Sequence, residues 1–185
     1  SFSDRVQAFK LRIAAVSSWH PELSLPGVST DAVLSSVAEW SPLYIGKATT
    51  AAELRKINME EVIWGMLTYE QQNTIDTLAP THIQVPTGSR IRVDYRQGAE
   101  APVLSVRLQE CFGLTSTPCV DGGKRPVLME LLSPGFKPVQ LTQDLANFWQ
   151  STYFEVRKEL RRRYPKHHWP DNPLEAQAVR GVKRR

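Results

Sequence analysis

The sequence has few cysteines and no long apolar segment, and both absences narrow the classes of protein to which it can belong. Its 185 residues include two cysteines, Cys111 and Cys119, too few for the disulfide framework of a small secreted domain. No apolar run approaches the roughly 20 residues that span a bilayer. The first ten residues also lack the apolar core of a signal peptide. We therefore expect a cytoplasmic protein that makes no membrane contact.

Signatures of catalysis are missing as well. The nearest approach to a phosphate-binding loop, Gly-x-x-x-x-Gly-Lys-Ser/Thr, is at Gly46 and Lys47, but Ser41 stands where the loop needs its first glycine. No nucleophile elbow, zinc-protease or kinase motif occurs, and no Cys-x-x-Cys pair is present to bind zinc. We expect the chain itself to have no catalytic site, no metal and no cofactor.

Charge is unevenly distributed along a composition that is otherwise typical of a globular protein, with 41% hydrophobic and 23% charged residues. Residues 155–185 contain ten lysines and arginines against four acidic residues, whereas residues 1–154 contain thirteen against fifteen. A basic tail on a nearly neutral body favours contact with a polyanion. A solvated tail that serves only solubility is the alternative.

Residues 1–79 are predicted to be a region of short helices. Val6, Phe9, Ile13 and Val16 recur at helical spacing after Asp4. A second helix is expected over Asp31–Trp40, and the expected core residues of the later helices are Trp64, Met66, Leu67, Ile75 and Leu78. Three capping boxes, in which a polar first residue and a Glu or Gln three positions later bond the free N–H groups of a new helix, follow at Thr50–Glu53, Asn58–Glu61 and Thr68–Gln71.

Residues 80–141 are predicted to be a β domain. The segment Arg90–Arg96 alternates polar and apolar residues, and turns are expected at Thr87–Ser89 and at Asp121-Gly122-Gly123. A short helical turn is expected near Gln109–Gly113. An OB-like small antiparallel Greek-key barrel fits this pattern, and a small sandwich or an SH3-like barrel fits it too. The remaining strands are expected at 81–86, 103–108, 127–132 and 138–141.

Residues 142–185 are predicted to be a basic helix followed by an extended, proline-rich tail. Thr142 is the expected N-cap, and Pro165 is expected to end the helix. The apolar stripe of this helix comprises Leu145, Trp149, Thr152, Val156, Leu160 and Tyr164. The fold class predicted for the whole chain is α+β, with domain boundaries at 79/80 and 141/142.

Two sets of residues are candidates for contact with RNA or single-stranded DNA. Guanidinium and ammonium groups neutralise phosphates, and flat rings stack on bases. The alternative interpretation is that the strand set is only the solvated face of a sheet and that Trp169 is a structural strap. The first set comprises Arg90, Arg92, Arg96 and Arg107, and the second comprises Arg157, Lys158, Arg161, Arg162, Lys166 and Trp169.

A long ordered series of short motifs between Trp64 and Pro173 resembles the C-terminal domain of the bacterial DEAH-type helicases of the HrpB family. The motifs are Leu78-Ala-Pro-Thr-His82, Val85-Pro-Thr-Gly-Ser89, Val106-Arg-Leu-Gln-Glu110, Leu131-Leu-Ser-Pro134, Val156-Arg-Lys-Glu-Leu160, Arg163-Tyr-Pro-Lys-His167 and Trp169-Pro170. The match is looser over residues 1–60.

The resemblance implies a parent protein in which two RecA-like domains hydrolyse ATP with Mg²⁺ and move along a strand. This chain would then be an accessory C-terminal part of that helicase, with an OB-like domain. Its expected partners are RNA or single-stranded nucleic acid and the helicase core of the same chain. A purely structural role on that core, without RNA contact, is the alternative.

Overall fold

The computed structural model describes residues 4–27, 59–97 and 101–182, and the chain divides into two compact units, residues 1–79 and 80–185. Residues 142–185, which the sequence sets apart as a third region, belong to the second unit together with the strands. Within the described ranges, no helix is both long and apolar enough to cross a bilayer. The fold class is α+β, as predicted.

The described part of the first unit is helical. Helix α1 spans Asp4–Trp19, a short 3-10 turn spans Pro21–Leu23, α2 spans Met59–Gly65 and α3 spans Tyr69–Leu78. The predicted stripe of α1 is buried, and it shares the core with residues from α2, α3 and the segment between them. The buried apolar residues are Val6, Phe9, Ile13, Val16, Val62, Ile63, Leu67, Ile75 and Ala79. Of the other predicted core residues, Trp64, Met66 and Leu78 are partly exposed.

The N-terminus of α3 confirms one of the three capping boxes. Thr68 Oγ1 accepts from Gln71 N at 3.1 Å, and the Gln71 side chain accepts from Thr68 N at 2.9 Å. These bonds satisfy two N–H groups that otherwise have no partner in the helix. The helix expected over 31–40 and the boxes that begin at Thr50 and Asn58 lie outside the described residues.

Arg12 is a charged residue on the buried side of α1. Its side chain donates from Nε to Ala79 O at 2.9 Å and from Nη2 to Asp76 Oδ1 at 2.9 Å. A buried guanidinium needs such partners, because an unpaired charge removed from water is strongly unfavourable. Arg12 therefore ties α1 to the end of α3.

The second unit is built on a five-stranded mixed sheet with the strand order β1-β2-β3-β6-β7. Strand β3 runs parallel to β6, and the other neighbouring pairs are antiparallel. The strands are β1 His82–Gln84, β2 Arg90–Asp94, β3 Val103–Arg107, β6 Leu128–Leu132 and β7 Pro138–Thr142, with a separate hairpin of β4 Cys119–Val120 and β5 Arg125–Pro126.

The predicted closed barrel is not formed, and the described strands make an open sheet instead. The reason lies in the connection between β3 and β6. It contains a 3-10 turn, Leu108–Cys111, and the β4–β5 hairpin, and it returns the chain to the same end of the sheet, so that β6 runs parallel to β3. Strands β1 and β7 then lie at opposite edges of the sheet. The antiparallel Greek key predicted from the sequence is therefore wrong.

Both predicted turns are present. Gly88, with a φ of 85°, lies in the β1–β2 turn, where Val85 N donates to Ser89 O at 3.0 Å. Asp121, Gly122 and Gly123 all have positive φ in the β4–β5 turn, and glycine reaches this conformation without steric cost. The alternation of β2 also holds: Val93 and Tyr95 are buried, and Ile91 is half-buried.

The C-terminal helical segment consists of two helices, not the single helix that the apolar stripe predicts. Helix α4 spans Leu145–Gln150 and α5 spans Tyr153–Arg163. Asp144, not Thr142, is the N-cap, since its side chain accepts from Asn147 N at 3.0 Å. The chain breaks at Ser151, whose hydroxyl donates to Asn147 O at 2.7 Å, because such a side chain competes for helix hydrogen bonds.

An aromatic cluster forms where these helices pack in the second unit. Phe112, Phe148, Trp149 and Tyr153 are all buried, with ring centroids between 5.2 and 6.4 Å apart in the contacting pairs. Trp149 Nε1 donates to Leu114 O at 2.9 Å. The cluster anchors α4 and the start of α5, and it fixes the direction in which α5 carries its basic side chains.

Candidate nucleic-acid interface

The first set of predicted residues begins on β2, where alternation exposes Arg90, Arg92 and Asp94. Arg96 follows the strand and pairs with Asp94, with Nε 2.8 Å from Oδ2. The hydrogen bond and the negative charge of that carboxylate raise the pKa of Arg96. Two arginines, Arg90 and Arg92, are thus exposed without an ion pair to any described residue, while Arg96 is partly neutralised.

Arg107 lies at the end of β3 and is held in place on two sides. Its side chain is 18% exposed, its Nε lies 3.4 Å from Glu110 Oε2, and its guanidinium lies over the Phe136 ring, 4.6 Å from the centroid. Such a cation–π contact is favourable, by roughly 0.5–2 kcal/mol. Arg107 is therefore a positioned cation, unlike the mobile cations of an exposed tail.

Glu110 is the buried acceptor of a hydrogen-bond network at the same end of β3. Its side chain is 6% exposed, and Oε1 accepts from Thr87 Oγ1 at 2.9 Å and from Ser89 Oγ at 2.6 Å. Arg180, in the C-terminal tail, donates from Nε to Ser89 Oγ at 2.8 Å. These contacts join the β1–β2 turn to the tail and offset the cost of burying a carboxylate.

Two residues of the second predicted set hold the tail against α5. Arg157 donates from Nε to Trp169 O at 3.1 Å and from Nη2 to Asp171 Oδ1 at 2.5 Å. Trp169 is 7% exposed, and its Nε1 donates to Tyr164 O at 2.9 Å. A ring buried in this way presents no face for a base, so the geometry favours the structural strap as the role of Trp169.

The remaining residues of that set lie on the surface of α5 and just after it. Arg162 pairs with Glu159, with Nη2 2.7 Å from Oε1. The hydrogen bond raises the pKa of Arg162 and lowers that of Glu159. Lys158, Arg161 and Lys166 are exposed, and none of the described residues forms an ion pair with them. These three cations are available to contact phosphates.

His167 lies between the two sets. Its ring is edge-on to Tyr164 at a centroid distance of 5.7 Å and tilted to Trp169 at 6.3 Å. Burial lowers its pKa, and the positive charge of Arg107 lowers it further. The neutral imidazole is therefore favoured, and Arg107 acts on the same patch of surface as the chain after α5.

The arrangement suits binding better than catalysis. Burial and the charge of Glu110 raise the pKa of Cys111 to about 12, so its thiol is a poor nucleophile. In the part of the chain that the structure describes, no three His, Cys, Asp or Glu side chains group together to hold a metal ion. Exposed cations beside an exposed ring instead match the general pattern of single-strand binding surfaces.

Sequence reasoning missed several residues of this region. Phe136, 63% exposed, lies in the β6–β7 turn, and the preceding Pro134-Gly135 is a turn signal that marks the loop but not the role of the ring. The Glu110 network joins residues about 20 to 90 positions apart. No local pattern connects them.

Known proteins are similar to this chain along nearly its whole length. Residues 40–173 match the profile of a family described as ATP-dependent helicase C-terminal. Over 184 residues the chain is 34% identical to the ATP-dependent RNA helicase HrpB of Escherichia coli K12, covering the whole chain but 23% of that helicase.

Two crystal structures are also similar, each with 34% sequence identity. The E. coli DExH-box NTPase HrpB matches with a TM-score of 0.90 over 99% of this chain and 22% of its own. The Escherichia coli DEAH/RHA helicase HrpB matches with a TM-score of 0.75 over 90% of this chain and 21% of its own. The chain thus spans less than a quarter of the length of the relatives that it matches.

Proposed function

Because the chain belongs to the HrpB C-terminal family of ATP-dependent helicases, we propose that it is an accessory region that contacts single-stranded nucleic acid for an attached helicase motor. The observation that carries this proposal is the row of exposed cations on and after α5, namely Lys158, Arg161 and Lys166. Each such cation can neutralise a backbone phosphate and release its counterions.

The proposal assigns the chemistry and the contact to different parts of one helicase. ATP and Mg²⁺ are bound and ATP is hydrolysed by RecA-like motor domains outside the 185 residues, and the chain itself hydrolyses no ATP. The strand is RNA, as in the name of the E. coli relative, an ATP-dependent RNA helicase. The chain also braces the motor domains, and the whole protein acts in the cytoplasm.

The second candidate function is structural, and one observation favours it. Arg157 and Trp169, both predicted to touch nucleic acid, are used to hold the tail. If the neighbouring cations serve the same purpose toward the helicase core, the chain contacts only protein. Salt dependence separates the two functions, since phosphate contacts give a slope that protein packing does not.

The experiment measures binding of the chain to a single-stranded RNA over a range of salt concentrations. Replacement of Arg161, Arg162 and Lys166 by Gln should weaken binding and reduce the salt slope by about 0.7 for each phosphate that is no longer neutralised. Because Glu159 already pairs with Arg162, the reduction should correspond more closely to two phosphates than to three.

The matched control is Lys124→Gln, which removes one exposed cation from the β4–β5 turn. This variant should keep the affinity and slope of the unmodified chain. If the triple variant also binds RNA with unchanged affinity and slope, the structural role is the better description. A uniform loss of affinity in both variants would indicate that net charge alone drives binding.

A further inference from the structure

The loop between β6 and β7 places a bulky residue in an unusual backbone conformation. Phe136 has a φ of 63°, in the left-handed region. Three-residue hairpin loops often have one residue in this region, and that residue is usually glycine. Here glycine precedes it at position 135. A large side chain in this conformation carries steric strain, which the loop retains although Phe136 is 63% exposed and contributes little to the core.

Several contacts hold the loop rigid. Ser133 N donates to Lys137 O at 2.8 Å, and Phe136 N donates to Ser133 O at 2.9 Å. Lys137 N donates to Ser133 Oγ at 3.1 Å. A Cβ added at Gly135 would lie 2.7 Å from Tyr164 Oη, so the loop backbone lies directly against that side chain.

One face of the Phe136 ring carries a fixed positive charge. The Arg107 guanidinium lies 4.6 Å from the ring centroid, and Glu110 and the strand position of Arg107 limit its movement. The exposed Lys137 follows Phe136 directly in the sequence. The result is an exposed ring, already oriented, with two cations close by.

We infer that Phe136 is a stacking site for one unpaired base of a single strand, with Arg107 beneath the ring and Lys137 beside it. A flat ring accepts any base without sequence preference, and the cations neutralise the flanking phosphates. A protein partner is less suited to this loop, because a stable protein interface buries on the order of 1,000 Å² or more, far beyond a single ring. The inference rests on the proposed contact with single strands and assigns a residue to it.

The test compares a 12-nucleotide oligouridine RNA with an abasic strand of the same length, which keeps the phosphates and lacks the bases. Phe136→Ala should weaken binding to oligouridine by roughly 5- to 150-fold, the range expected for one stacked base. It should leave binding to the abasic strand and the salt slope unchanged. Phe136→Tyr, which keeps the flat ring, should bind oligouridine within about twofold of the unmodified chain.

The control is Tyr69→Ala, which removes an aromatic residue that is 79% exposed on α3, in the other unit. This variant should bind both strands normally. The melting temperature of Phe136→Ala should not fall, because the ring is mostly exposed and its backbone is strained.

The outcomes distinguish this inference from the proposed function. If the unmodified chain binds neither strand, the proposed contact with nucleic acid fails and the stacking site with it. If the chain binds oligouridine and Phe136→Ala binds it equally well, only the stacking site is refuted. Equal decreases in affinity for the oligouridine and abasic strands would also refute stacking, since they would trace the effect to the phosphate contacts.

Discussion

Trp169→Ala tests whether the tail is held by this residue. Trp169 is 7% exposed, and its Nε1–H bonds to Tyr164 O. Removing a buried Trp side chain costs about 3–5 kcal/mol of unfolding free energy. The second unit has about 100 residues, and in a domain of that size 1 kcal/mol shifts the melting temperature by roughly 4 °C. The expected decrease is therefore about 12–20 °C.

A thermal melt followed by circular dichroism measures this decrease, and an RNA titration well below the transition measures affinity. Trp169→Phe is the matched variant: it keeps most of the buried area and loses the hydrogen bond to Tyr164, so it should cost about 1 kcal/mol. The argument would be refuted if Trp169→Ala melted within about 3 °C of the unmodified chain and bound RNA more weakly, as expected for a stacking ring.

Groups with a shifted pKa give two more predictions. The lowered pKa of His167 means that, as the pH falls below the ordinary value of 6.5, the unfolded chain takes up a proton more readily than the folded chain. The melting temperature should therefore fall between about pH 7.5 and 5.5, and less so in His167→Asn; an equal fall in both proteins would contradict this. Cys111 is buried with a pKa of about 12, and Cys119 is exposed. A thiol reagent at about pH 8 should therefore modify one cysteine per folded chain and two in denaturant, whereas rapid modification of two in the folded chain would show that Cys111 is accessible.

Features set by a few neighbouring residues could be predicted from the sequence. The capping box at Thr68 and Gln71 depends on two side chains three positions apart, and the β4–β5 turn depends on Asp121-Gly122-Gly123. Pro165 marks the end of α5, whose last helical residue is Arg163. In each case the controlling interaction lies within one turn of chain.

Features set by contacts between distant residues could not be predicted. The parallel pairing of β3 with β6 depends on how the connection between them packs, which alternation within a strand does not reveal. The break between α4 and α5 interrupts an apolar stripe that continues in the sequence, and the burial of Arg12 depends on Ala79. Among the candidate site residues, residue type predicted positive charge correctly, but exposure separated Arg161 from Arg157.

The Glu110 network has a consequence for folding during synthesis. Ser89 and Arg180 are 91 positions apart, and Gln109 Nε2 donates to Arg180 O at 3.0 Å across 71 positions. A ribosome that adds about 5–20 residues per second needs on the order of 5–20 s to travel from the first of these residues to the last. During that interval the β1–β2 turn and Glu110 have emerged while their partners in the tail have not, so the nascent sheet lacks the bonds that Arg180 supplies at the end. A mutation in the last turn of the tail should therefore act on the final folding step and leave formation of the strands unaffected.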